Sequence, residues 1–378
     1  MSSFYLHIPF CQSKCDYCDF YSQPLGSQKE LQDYVDLLLL EVDLLAHKWP
    51  GRGPLETIFF GGGTPSLLSS QQVGSILRRL EAAFGLAASC EISLEANPGT
   101  VDYDKLRGYR QAGVNRLSLG VQTLDDHQLH QLGRIHSASQ ARQAVTAARQ
   151  AGFDNLSLDL IFALTNQDLL QLEADVAGLL AMQPEHLALY GLSFEPGTPL
   201  QQRLQQGVVS EPDDQFYADS YLLIDRLLNE AGFEHYEISN FARHGYRCQH
   251  NQAYWQRRTC LAAGCGAHSF IADGYGERWL NPPSLSNYCR RLKSGGLPLE
   301  LLETFDRDAA MAEYVYLGLR TASGVCRAEF QQRFGTTVDA VFASALEKNE
   351  GCLRLQEDRF RFDLQGWLIY DHLISAFL

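Results

Sequence analysis

Three cysteines, Cys11, Cys15 and Cys18, stand at C-x3-C-x2-C spacing directly after the apolar run Phe4 to Ile8. Thiolates are soft ligands suited to iron–sulfur clusters, and three from one loop can converge on a single cubane. A four-iron cluster held this way keeps one iron free of protein ligands. An open iron is a place for chemistry, which a closed four-thiolate carrier or a structural zinc site lacks. The spacing leaves two other readings open: zinc completed by His7 or a distant cysteine, and thiols packed as small hydrophobes.

The stretch Tyr5-Leu-His-Ile-Pro-Phe-Cys11 through Cys18-Asp-Phe20 resembles the signature of radical S-adenosylmethionine (SAM) proteins, in their oxygen-independent coproporphyrinogen oxidase-like branch. The resemblance implies a 4Fe-4S cluster on Cys11, Cys15 and Cys18 whose open iron chelates the amino and carboxylate groups of SAM. It also implies that an electron from the cluster cleaves SAM to a 5′-deoxyadenosyl radical, and it places Tyr5 among the SAM-binding residues.

Gly61-Gly62-Gly63-Thr64-Pro65 allows positive φ and close ligand approach, leaving amide donors free for a polar ligand. A tight turn explains the same glycines. The segment resembles the family's GGGTP motif, which implies that Gly62, Gly63 and Thr64 meet the amino group of SAM. Glu95 ends a strand, where a carboxylate accepts hydrogen bonds from ribose hydroxyls or an ammonium, or is simply a solvated loop charge. Gln122, Arg134 and Asp159 match SAM-contacting positions of the oxidase branch. The guanidinium of Arg134 suits bidentate pairing with the SAM carboxylate, whereas Gln122 and Asp159 read equally as structural hydrogen-bonding residues. After Asp159 the family tends towards Gly-Leu-Pro, but this chain has Phe162-Ala163-Leu164-Thr165-Asn166. Tyr190 to Pro199 resembles the family's sixth-strand exit and reads as scaffold lining the cleft.

Cys248-Gln-His250-Asn251-Gln-Ala-Tyr254-Trp255 sets a histidine beside two large aromatics. Imidazole can be an axial heme ligand and the rings can supply apolar surface, although a lone histidine is more commonly a hydrogen-bonded structural residue. The spacing resembles the HNxxYW motif of the HemW-type heme chaperones, a non-oxidase group of the same branch. That resemblance implies heme binding with His250 as ligand; Cys248, Cys260 and Cys265 are alternative thiolates. In the oxidases the cluster motif continues to a fourth nearby cysteine, a place held here by Phe20. The cluster should therefore persist while the oxidase reading weakens. Gly264 to His268 resembles the glycine-containing loop that closes the SAM site. The expected function is a heme chaperone that binds cluster, SAM and heme and transfers heme to an acceptor; the alternative is a coproporphyrinogen III oxidase or another radical SAM enzyme acting on a tetrapyrrole.

These residues need a scaffold. Short apolar runs at Phe4–Ile8, Thr57–Phe60, Glu91–Glu95, Arg116–Leu119, Leu156–Leu160 and His186–Tyr190 read as strands. Amphipathic stretches at Glu30–Lys48, Ser70–Phe84, Asp102–Gln111, Ser139–Gln150 and Leu169–Met182 read as helices between them. Strand then helix, repeated, gives a parallel sheet with right-handed crossovers. Six units predict an α/β fold, a partial (β/α)6 TIM-like barrel, with functional residues at the C-terminal strand ends. After a helix at Gln215–Ala231 the pattern loosens. The expected division is a core barrel over 1–295, with an extension carrying the HNxxYW segment, and a small C-terminal, winged-helix-like domain over 296–378 with a hairpin at Cys352–Phe362.

A formal charge of −14 over 378 residues argues against nucleic acid, because phosphate contact needs basic clusters. The sequence has no apolar run near the roughly 20 residues a membrane span needs, and its start does not read as a secretory leader, so a cytoplasmic protein is expected. Ten cysteines are too sparse for a disulfide scaffold. The resemblance further implies a heme-accepting partner such as a respiratory cytochrome, peripheral membrane contact through that acceptor, a reductant protein for the cluster, and a homodimer promoted by cluster binding.

Overall fold

The computed structural model describes residues 2–378. β1 (Ser2–Ile8) is followed by two short paired strands, β2 (Phe10–Cys11) and β3 (Gln23–Pro24), which close the base of the cysteine loop. Then come α1 (Gln28–Lys48), β4 (Leu55–Gly62), α2 (Ser70–Phe84), β5 (Leu86–Ala96), α3 (Tyr103–Ala112), β6 (Arg116–Gln122), α4 (Asp126–Gln131), α5 (Ala138–Gln150), β7 (Leu156–Phe162), α6 (Leu169–Ala181) and β8 (His186–Gly191). The five long helices begin and end within two or three residues of expectation. Capping boxes at Ser69/Gln72, Ser137/Gln140 and Asp168/Gln171 fix three of the starts by satisfying amides that a helix leaves unpaired.

The strands β1, β4, β5, β6, β7 and β8 lie side by side in chain order and all parallel. Sequential order with right-handed crossovers puts the helices on one face. Side chains from β1 and β4 and from β7 and β8 line one cavity, so the sheet curls about that cavity as a partial barrel. The barrel does not close, because each edge pairs with further strands instead. After α7 (Pro199–Gln205) and α8 (Asp214–Glu230), the edge beyond β8 takes β10 (Asn240–Ala242) and β9 (Glu234–Glu237), antiparallel; beyond β1 lie β11 (Cys260–Ala263), parallel, then β12 (His268–Ile271), β13 (Glu277–Leu280) and β14 (Glu300–Thr304). The result is a single twelve-stranded sheet. Its last strand lies past residue 295, the expected end of the barrel unit.

From Arg307 the chain forms helices and a three-stranded antiparallel sheet of β15 (Val325–Cys326), β17 (Arg359–Phe362) and β16 (Leu353–Gln356). Helices leading into a hairpin is the winged-helix pattern. The hairpin turn has Glu357 and Asp358 both at positive φ, as a primed turn requires. Among the described residues no helix is long and apolar enough to cross a membrane.

Candidate functional site

The cysteine loop leaves β1 and is held at both ends and at its tip. Phe10 and Cys11 pair with Gln23 and Pro24, and Leu25 donates to the Cys11 carbonyl at 2.8 Å. At the tip, the Asp16 amide donates to Leu132, its carbonyl accepts from Leu200, and its carboxylate meets Arg203 at 3.0 Å. Cys11, Cys15 and Cys18 line one cavity of about 590 Å³. Burial, together with the neighbouring Cys15 and Cys11, pushes the Cys18 thiol up. The three are soft donors of the kind an iron–sulfur cluster takes, on a restrained loop lining a shared cavity, although among the described residues no three His, Cys, Asp or Glu side chains gather closely enough to hold a single metal ion.

Gly61 to Thr64 abuts this loop. A Cβ on Gly63 would stand 2.7 Å from the Phe10 carbonyl oxygen and 3.0 Å from Cys11 Sγ. Gly62 has φ 111°, and a Cβ there would meet the His7 ring. The amides differ from expectation: Gly63 donates to Ile8 and Thr64 to Phe10. These glycines serve close packing against the cysteine loop rather than a set of free donors.

The cavity also collects Gly62, Gly63, Thr64, Glu95, Gln122, Arg134 and Asp159. Glu95 and Asp159 project from neighbouring regions of the sheet. Burial, then the charge of Asp159, pushes Glu95 up to about 8, against an amide hydrogen bond from Gly62. Burial pushes Asp159 up to about 6, opposed by hydrogen bonds from Ser118 at 2.9 Å and Ser157 and by the charges of Arg116 and Arg134. Gln122 sits at positive φ beside a register shift in β6. At Arg134, Nη2 donates to the Gly120 carbonyl at 2.7 Å, Nη1 lies 3.4 Å from Cys15 Sγ, and the buried Nε has no protein partner. Phe20 sits at the cavity wall and is 69% exposed. The unfamiliar loop after Asp159 turns through Ala163 and Asn166, both left-handed.

Behind this cavity lies a smaller chamber of about 220 Å³, sharing Phe20, Gly62, Glu95, Ser118, Asp159 and Tyr190 with it. Tyr5 lines this chamber, with its hydroxyl 3.1 Å from His7 Nδ1. His250 is here as well, on α9 (Gln249–Trp255). Its Nδ1 pairs with Thr57 Oγ1 at 2.8 Å, its Nε2 with the Tyr254 hydroxyl at 3.2 Å, and its ring stacks on Phe59. Burial pushes the imidazole down to about 3. Both nitrogens are engaged, so axial ligation as expected from the sequence would need the ring to leave this pocket. Burial also pushes Cys248 and Cys260 up to about 12 and Cys265 to about 11, which disfavours the thiolates that would bind iron.

Two polar residues of the chamber escaped the sequence reading. Arg116 is buried, donating to Asn155 at 2.7 Å and to Tyr246; buried His186 bridges Ser157 and Tyr236. The signal was available: each opens a strand of a parallel sheet, where an apolar run is the norm. Glu91 was a third. Its carboxylate accepts from the amides of Gln249 and His250, so a strand residue caps the α9 N-terminus from across the fold.

Residues 5–176 match the family model of the Radical SAM superfamily, and residues 305–369 match the HemN C-terminal domain. The chain is similar to a protein of Bacillus subtilis named heme chaperone HemW, 34% identical over 381 residues, covering 100% of this chain and 99% of that one. It is also similar to the heme chaperone HemW of Escherichia coli, 42% identical over 269 residues, covering 71% of this chain and 70% of that one. The solved structure of coproporphyrinogen III oxidase (HemN) from Escherichia coli superposes with a TM-score of 0.87 at 23% identity, covering 100% of this chain and 89% of that one; the likeness is one of fold.

Proposed function

The chain belongs to the HemW family within the radical SAM superfamily, and from that membership we propose that it is a heme chaperone, holding a heme and passing it to an acceptor hemoprotein. Membership in the superfamily brings a 4Fe-4S cluster and SAM. We assign the cluster to Cys11, Cys15 and Cys18, and SAM to the cavity walled by Gly62, Gly63, Thr64, Glu95, Gln122, Arg134 and Asp159, with Tyr5 behind it. When bound, the cluster supplies a reducing electron and an open iron. Glu95 and Asp159 offer acceptors for ammonium or hydroxyl groups, and Arg134 offsets thiolate charge at Cys15.

The observation that carries this reading is the relationship to the Bacillus subtilis heme chaperone over essentially the whole of both chains. Phe20 supports it, an exposed ring where the oxidases have a fourth thiol. The proposed partners are an acceptor such as a respiratory cytochrome, met at the membrane surface through that acceptor, a reductant protein, and a second copy of the chain.

Anaerobic reconstitution with iron and sulfide, spectra with and without heme, and then mixing with an apo-hemoprotein test the proposal. Expected are cluster absorbance, a heme-bound spectrum and movement of heme to the acceptor. Robust decarboxylation of coproporphyrinogen, or no heme transfer, would overturn it.

A further inference from the structure

A cavity of about 720 Å³ opens between the barrel and the C-terminal domain, and α9 separates it from the His250 chamber. His250, Asn251 and Tyr254 line the chamber, Gln252 and Trp255 the cleft. Five arginines face the cleft, Arg247 and Arg258 from the barrel and Arg333, Arg359 and Arg361 from the C-terminal domain, against the single carboxylate of Glu329. The local sequence puts two of them there. In Arg359-Phe360-Arg361-Phe362 the strand period sends both phenylalanines into the core and both arginines to the opposite face. In a chain of net charge −14 this is a local reversal of sign.

Part of that charge is compensated within the chain. Arg247 pairs with Glu234 at 2.9 Å, Arg258 with Glu56, and Arg359 with Glu329 at 3.0 Å, which also uses up the one carboxylate of the cleft. Two guanidinium forks are left over. Among the described residues Arg333 meets no carboxylate, only the rings of Tyr314 and Phe334, and Arg361 reaches only the exposed Glu357, at 3.8 Å. An adjoining recess shares Arg258, Glu329 and Arg333 with the cleft and adds the buried Arg257. The Nε of Arg257 pairs with Glu313, but its buried Nη1 has no acceptor. Like charges converging on one concavity repel, and a buried donor left unpaired is costly. An anion in the cleft relieves both.

We propose that this cleft binds a small hydrophilic ligand carrying two or more phosphate or carboxylate groups, gripped by Arg333 and Arg361 and reaching the arginines of the facing wall. Guanidinium pairs with either group in bidentate fashion. Among the described residues no aliphatic side chain lines the cleft, which excludes a greasy ligand, and the volume lies within the usual range of about 300–1,000 Å³ for small-molecule sites. Because the two walls belong to different domains, an occupant ties the C-terminal domain to the barrel. The inference is independent of the heme-chaperone reading and asks nothing of His250.

The test uses the full-length chain before cluster loading, so that neither probe draws iron from it. Isothermal titration with sodium pyrophosphate and, separately, with sodium citrate at matched ionic strength should give one saturable site per chain. Each probe should raise the melting temperature, since it binds only while both walls are in place, and its affinity should fall as salt is added. Arg333→Gln and Arg361→Gln should each weaken binding about tenfold or more, whereas Arg226→Gln, at an exposed pair with Glu230 on another face, should leave it unchanged. Tighter pyrophosphate assigns the site to phosphates and tighter citrate to carboxylates; either supports it. A wild-type chain that binds neither probe saturably at low salt overturns the site and needs no folded variant. So does equal binding by wild type and both cleft variants, or a loss in Arg226→Gln as large as theirs.

Discussion

Arg134 Nη1 lies 3.4 Å from the Sγ of Cys15, so the cation expected to grip a cofactor carboxylate also faces a thiol proposed to hold the cluster. Its other terminal nitrogen is committed to Gly120. Arg134→Ala removes a positive charge beside the cluster and leaves the Gly120 carbonyl without its donor. The expected outcome is a more negative cluster potential and faster bleaching in air, read by redox titration and by iron content. Arg134→Lys should not restore both, since one ammonium does not span two acceptors held by a guanidinium fork. A variant with the wild-type potential would remove Arg134 from the cluster environment.

Cys15→Ser should abolish loading of a four-iron cluster while the chain still folds, because the loop is held by Asp16 and by the pairing at Phe10 and Cys11 rather than by metal. Iron and sulfide analysis after anaerobic reconstitution decides it; a full cluster in this variant would sink the ligand assignment.

Gly63→Ala tests the interlock between the triplet and the loop. Its Cβ must displace either the Phe10 carbonyl or Cys11 Sγ, and overpacking of this kind costs about 1–3 kcal/mol. Iron content should fall with little change in secondary structure. Wild-type loading would show that the two segments move independently.

Glu95 and Asp159 set a pH dependence whose sign follows from their raised values of about 8 and about 6. A buried acid raised on folding keeps its proton longer than the unfolded chain does. Stability from it is present at low pH and lost as pH rises from the ordinary carboxylate range towards the raised value. Glu95→Gln removes that loss. Melting curves of the cluster-free protein should show the variant gaining on wild type between about pH 4.5 and about pH 8, with no further gain above that. A constant difference would mean Glu95 is ionised throughout.

Glu91→Ala should cost about 1–3 kcal/mol in denaturant unfolding, for the buried amide donors it strands at α9. Because Glu91 holds the start of α9, the Thr57–His250 contact should loosen as well, read from His250 ring NMR shifts. Unchanged shifts would show that the ring is held independently of the helix start.

Much of the scaffold was legible because parallel strands buried on both faces are long apolar runs and the helices between them carry caps. β9 to β13 were not, since three or four residues are too few for a period to emerge, and their pairing is decided by the sheet edges they meet. The cysteines and Glu95, Gln122 and Asp159 were found together at one cavity because strand ends collect there. The donors of Gly63 and Thr64 were misjudged because free amides were inferred from glycine alone, and a neighbouring carbonyl cannot be seen in sequence. The fate of α9 was equally hidden: which side of a short helix faces which cavity depends on Glu91, a residue far away in the chain.

The cysteine loop has a further consequence through its fixed ends and pinned tip. Protein contacts at Phe10, Cys11 and Asp16, none of them made by a sulfur, set the path of the loop, so the backbone route and the donor chemistry are separable. Far-UV circular dichroism of a chain with all three thiols replaced by serine should then scarcely differ from that of wild type.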